Sequence, residues 1–319
     1  MTDWYNLHVV LIQGTLVSIL LVLSVQIPLR CGVFSFAGIG SYGIGAYATA
    51  IMMTRYHGNM FIAILLGMAI AAIVGYLLGL ILHRLDGLYL GMATVSFDLI
   101  VTVMASNGGS FTGGAAGIYG VIGDITTSQI AALVLVIIAV AAYTERGRLG
   151  RRIEAVRDDP QLSIALGINV GRVRRLSFVA SGLLGACAGG FNVVLQTTTS
   201  PTNISFQTVV LALIMIVIGG ARSWAGAVLG AIVFTWLPSV LQVVNDWRDI
   251  LFGIIVIAVS IWIPGGIIGS VTDLFHAIQA SRRDARAVPL HPDVANADCA
   301  EGLTKLRTSD SHVNGVRVD

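Results

Sequence analysis

Nine apolar runs of roughly membrane-spanning length constrain this chain more than any other feature. They are Leu7–Pro28, Val33–Thr54, Met60–His83, Gly87–Ala105, Ser128–Thr144, Leu176–Gln196, Ser205–Ile218, Trp224–Val243 and Arg248–Pro264. A hydrocarbon core about 30 Å thick is crossed by about 20 helical residues. Backbone inside lipid must satisfy its own hydrogen bonds, which favours helices over open strands. Only 11% of the residues are charged, where a soluble domain carries about 25%. The expected fold class is therefore all-α, a polytopic transmembrane helical bundle. It has about nine candidate spans, some of them open to being broken or re-entrant.

The longest polar interruption is Glu145–Arg175. It holds eight arginines (146, 148, 151, 152, 157, 172, 174, 175) against Glu145, Glu154, Asp158 and Asp159. Asp159 can accept from the free amides of a helix start. Pro160 suits the first helical position, and Gly167 suits the left-handed turn that ends a helix. A short helix is thus written between Pro160 and Leu166, with Leu162, Ile164, Ala165 and Leu166 as apolar surface. A helix this short cannot hold itself in water and must pack on something. Placing this stretch in the cytoplasm puts seventeen Lys and Arg residues inside and only Arg55 and Arg248 outside, as the positive-inside rule requires. By parity the N-terminus then lies outside and the tail inside. Residues 1–280 read as the membrane domain. Ser281–Asp319, with six basic and six acidic residues, reads as a polar, disordered cytoplasmic tail. The first apolar run lacks a basic start and a small-residue cleavage site, so it reads as retained.

Two features inside the spans could carry chemistry. The second run holds Gly32, Gly38, Gly40, Gly43 and Gly45 with Ser35 and Ser41. Such residues allow close helix contacts, or mark a broken helix whose backbone lines a cavity. Asp98 lies well inside the fourth run. A carboxylate there costs about 2.5–3.5 kcal/mol unless paired or hydrated. It is either satisfied by neighbours such as Thr94, Ser96 or Thr102, or it is a pathway residue. The glycine-rich loop Ser106–Gly120 reads as a flexible external link. Ser205–Ile218 is short, about 21 Å at helical rise, and ends in Gly219-Gly220. It is either a discontinuous helix or one arm of a tilted pair.

Several chemistries are excluded. Lys305 is the only lysine and no P-loop surrounds it, so the chain should not hydrolyse ATP alone. The six histidines are scattered, and no Gly-x-Ser-x-Gly elbow is present. Cys31, Cys187 and Cys299 form neither a disulfide framework nor a metal motif. Net charge is +2, which leaves no nucleic-acid footprint.

Taken in order, several segments resemble the permease subunits of ABC importers, of the branched-chain amino-acid (LivM-like) type. They are Gly150–Asp159, Ala165–Val170, Leu176-Ser177-Phe178, Ala188-Gly189-Gly190, Gly38–Tyr47, Thr112-Gly113-Gly114, Ser200-Pro201 and Ser223–Gly230. The resemblance covers roughly residues 14–264. It implies a pore made from this chain and a second, non-identical permease in a bacterial inner membrane. Two separate ATPase subunits bind the ATP, and a periplasmic or surface binding protein delivers substrate. No cofactor is implied for this chain. The loop around Glu154, Ala155, Asp159, Pro160, Leu162, Ala165, Leu166 and Gly167 is similar to the family's coupling helix. Gly38, Gly40, Ser41, Gly43, Gly45 and Asp98 fall where a translocation path is implied. The family often has Glu at Asp98 and His near Ser41-Tyr42, and related permeases carry urea, short amides or other amino acids. The competing readings are such an amide permease and an ion-coupled secondary transporter using Asp98.

Overall fold

The computed structural model describes residues 2–145, 147–221, 223–241, 247–262 and 266. The expected disordered tail, 281–319, lies outside the described residues. Every apolar run becomes a helix. In chain order these are α1 (Thr2–Arg30), α2 (Ala37–Tyr56), α3 (Met60–Ile81), α4 (Gly87–Asn107), a single turn α5 (Gly109–Thr112) and α6 (Thr127–Glu145). The polar stretch forms α7 (Gly147–Asp158) and α8 (Pro160–Ala165). Then come α9 (Val170–Gln196), α10 (Phe206–Gly219), α11 (Trp224–Val240) and α12 (Arg248–Trp262).

The count of spans differs from nine. Among the described residues five helices are long and apolar enough to cross a membrane, or six if α10 and α11 form one broken span. The reasons are physical. α2 is rich in glycine and alanine and most of its residues are buried, so it has little need of lipophilic surface. It packs on α9, α3 and α4. α10 and α11 are short and bent by 118° at Gly220–Ser223. Gln26 Nε2 donates to the Ser223 carbonyl, and Trp224 N–H donates to Glu145 Oε1 at 2.7 Å. The bend therefore lies at the arginine-rich end, as in the tilted-pair reading.

Close approach of α2 and α9 holds the centre together. Cβ atoms at Gly45 and Gly185 would overlap backbone of the opposite helix, at Ala186 and Gly38 respectively. Small residues let the backbones meet, so dispersion contacts accumulate where the hydrophobic effect is weak. The Ser106–Gly120 loop is not an unstructured link. It forms α5, a 3-10 turn, and strand β1 (Ile118–Tyr119), which pairs antiparallel with β2 (Thr198–Thr199). A Cβ on Gly117 would strike Thr199, and its φ is +84°, so glycine is required twice over.

Candidate functional site

Three places combine polarity with position. The first is the arch that α7 and α8 form between α6 and α9. Asp159 Oδ1 accepts from Gln161 N–H (2.9 Å) and Leu162 N–H (3.0 Å), and Pro160 needs no amide partner. Gly167 has φ +79°. Gly167 N–H donates to Ile164 O and Ile168 N–H to Ser163 O, which closes the C-terminal turn. The helix written in the sequence is thus present with both caps. Ser163 is its buried residue. Leu162, Ile164 and Leu166 are 57%, 63% and 69% exposed, and Ala165 and Glu154 are exposed with them. Ala155 is half-buried.

At the base of the arch, Arg30 pairs with Glu145 at 3.3 Å, and the same carboxylate takes the Trp224 amide. One side chain therefore ties the ends of α1, α6 and α11 together. Arg174 and Asp86 join α9 to the start of α4 at 2.6 Å. Cys31 sits beside this joint. Burial pushes its thiol up to about 11, against the opposing pull of Arg30 and a bond to Ser177.

The second place is the start of α2. Residues Val33–Phe36 are not helical, and α2 begins beside Ser24 and Ser181, inside the bundle. Two of the amides at this start are met from α4. Phe36 N–H donates to Thr94 Oγ1 (3.0 Å), and Gly40 N–H donates to Asp98 Oδ1 (2.8 Å). Thr94 and Asp98 are one turn apart, so a single face of α4 caps α2 at depth. Asp98 is 1% exposed, and its Oδ2 has no partner among the described residues. The neighbours Thr94, Ser96 and Thr102 were one of the two expectations for this carboxyl; its Oδ1 instead accepts from a backbone amide on another helix. Gly40 leaves room for it, since a Cβ there would lie 2.6 Å from Oδ1. Gly38 faces Ser24 and Ser181, and Gly43 faces Ile204. Ser41 is buried and donates to Ala37 O within its own helix. These residues make close contacts within the bundle.

The third place was not singled out in the sequence. A polar pocket of about 420 Å³ lies among Tyr42, Asn192, Gln196, Thr202, Asn203 and Gln207, at the end opposite the arch. Its side chains carry hydroxyls and amides without formal charge. They come from α2, the end of α9, the turn after β2 and the start of α10, so no local motif could have announced them.

Residues 7–260 match the profile of the family described as branched-chain amino acid transport system / permease component. The chain belongs to this permease family. It is 26% identical over 263 residues to the high-affinity branched-chain amino acid transport system permease protein LivM of Salmonella typhimurium and, equally, of Escherichia coli K12. That covers 72% of this chain and 62% of either relative, so the chain spans less than two thirds of their length. It is 28% identical over 151 residues to the E. coli K12 permease protein LivH, covering 46% of this chain and 49% of LivH. It is 31% identical over 166 residues to the autoinducer 2 import system permease protein LsrC of Enterobacter sp. 638, covering 49% and 48%. No solved structure matches the chain significantly. As a permease component it is a membrane transport protein, and its apolar helices agree with that.

Proposed function

We propose that this chain is a membrane-spanning subunit of an ATP-driven importer for branched-chain or related hydrophobic amino acids, and that α8 receives the force. The observation that carries the reading is the uncovered apolar surface of Leu162, Ile164 and Leu166 on a helix capped at both ends. Two separate ATPase subunits supply that cover, with Glu154 and the arginines of α7 as a polar rim. The arch is then cytoplasmic, in a bacterial inner membrane. A second, non-identical permease completes the pore, in keeping with relatives named both LivM and LivH. A binding protein delivers substrate at the opposite end, where the polar pocket opens. Gly38, Gly40, Ser41, Gly43, Gly45 and Asp98 are the proposed lining of the path or its supporting layer.

One observation favours a second cargo class. The charge-free amide and hydroxyl lining of the polar pocket also suits urea or short amides. The ion-coupled alternative has less behind it, because Asp98 Oδ1 already serves as the cap of α2.

The test is Leu162→Asp, with the ATPase subunits co-purified and the chain blotted in the membrane fraction. Loss of a central apolar anchor costs about 2 kcal/mol or more, so ATPase retention should fall about 30-fold while insertion is unchanged. Retention at the wild-type level would show that the arch is only a topology anchor. Reconstitution with the cognate binding protein and a panel of labelled amino acids and amides separates the two cargo classes.

A further inference from the structure

Beneath the arch lies a second and larger cavity, a groove of about 910 Å³ between α6 and α9. That is near the top of the range of roughly 300–1,000 Å³ for small-molecule sites. Its walls are transmembrane faces, with Ile137 and Val140 on α6 and Leu176 and Leu183 on α9. Its upper edge is made by α7 and the turn after α8, and there Arg152 and Arg172 meet it. Neither arginine has an ion pair among the described residues, whereas Arg30, deeper in, is matched by Glu145. No Asp or Glu lines the groove. An apolar trough running along the span, topped by two cations without an ion pair among the described residues, has the vertical order of a phospholipid in one leaflet.

We propose that this groove holds one two-chain anionic phospholipid. The acyl chains lie between α6 and α9, and the headgroup phosphate is held by Arg152 and Arg172. A guanidinium matches phosphate oxygens in a bidentate fork. A basic pocket between membrane helices is the recognised setting for such headgroups. Leu166 and Gly167 line the same groove, so the lipid touches the turn that closes α8. The inference rests on membrane location; it shares Arg152 and Leu166 with the surface assigned to the ATPase subunits, and it is tested on the purified chain without them.

The full chain is purified in neutral detergent and titrated with phosphatidylglycerol or phosphatidylcholine of identical acyl chains, and bound lipid is counted by native mass spectrometry. The wild type should retain phosphatidylglycerol in preference. The double variant Arg152→Gln/Arg172→Gln should lose that preference by about fivefold for each arginine. Ala180→Trp, which fills the groove, should lower retention of both lipids. Arg148→Gln/Arg151→Gln, outside the groove, should leave the preference unchanged, and millimolar inorganic phosphate should not displace the lipid. An unaltered preference in the Arg152/Arg172 variant, or an equal loss in the Arg148/Arg151 control, overturns the proposal. So does crosslinking of Leu183→Cys to a second permease or a second copy of this chain in native membranes.

Discussion

Asp98→Ala and Asp98→Asn, measured side by side, separate a structural carboxyl from a transporting one. The Gly40 amide and Asp98 Oδ1 meet at 2.8 Å in a buried setting. The i−4 acceptor, Phe36 O, accepts from Ile39 N–H at 2.9 Å and takes no bond from Gly40 N–H. Alanine therefore strands a buried donor, at a cost of about 1–3 kcal/mol. It also removes a polar group from the positive end of α2, worth about 0.3–1 kcal/mol more if that group is ionised. Asparagine keeps an acceptor oxygen in the same place and should retain most of the stability. Unfolding of the purified chain in mixed SDS–detergent micelles reads the difference, with transport in reconstituted vesicles as the second readout. If Asp98 only caps α2, Asn is near wild type in both and Ala is impaired in both. If Asp98 also meets the cargo, Asn stays folded and loses transport. Wild-type stability in Asp98→Ala, or equal destabilisation by Asn and Ala, would refute the capping argument.

The remaining expectations concern single contacts. Gly45→Ala forces α2 and α9 apart and should cost about 1–3 kcal/mol, read as lower yield of folded protein by size-exclusion chromatography. Gly167→Val places a β-branched residue at φ +79°, which such residues resist; protease nicking between α8 and α9 should rise. Asp86→Asn should change stability by less than about 1 kcal/mol, because its carboxylate is 71% exposed and exposed pairs are worth little. Cys31, with its thiol pushed up to about 11, should react slowly with maleimide at pH 8 in a Cys187→Ser/Cys299→Ser background. Its rate should climb as pH rises towards 11, since the thiolate is the nucleophile.

What could be read in the sequence was what is encoded locally. Asp159, Pro160 and Gly167 sit within one short segment, and each acts on backbone a few residues away, so the α8 caps were legible. Hydrophobicity is a running property, so each apolar run could be placed as a helix. Partners across the bundle were not legible. Asp98 meets an amide 58 positions away, and Glu145 reaches Trp224 across 79; no pattern in either neighbourhood marks the other. The polar pocket is assembled from four separated segments and was missed for the same reason. Among the described residues fewer helices are long and apolar enough to span than the nine runs suggested, because an apolar run reports that a helix is buried or in lipid, without saying which.

The enclosure of α2 has a consequence for how the chain is made. A membrane inserts each segment according to its own apolarity, and α2 falls below the level at which its neighbours qualify. Its main packing partner is α9, which leaves the ribosome long after it. Until then α2 depends on α1, α3 and α4 to keep it in the bilayer. Synthesis thus passes through a stage in which the seat of α9 stands empty. A chain cut after Glu145 would be held at that stage, with the Gly45 face of α2 bare.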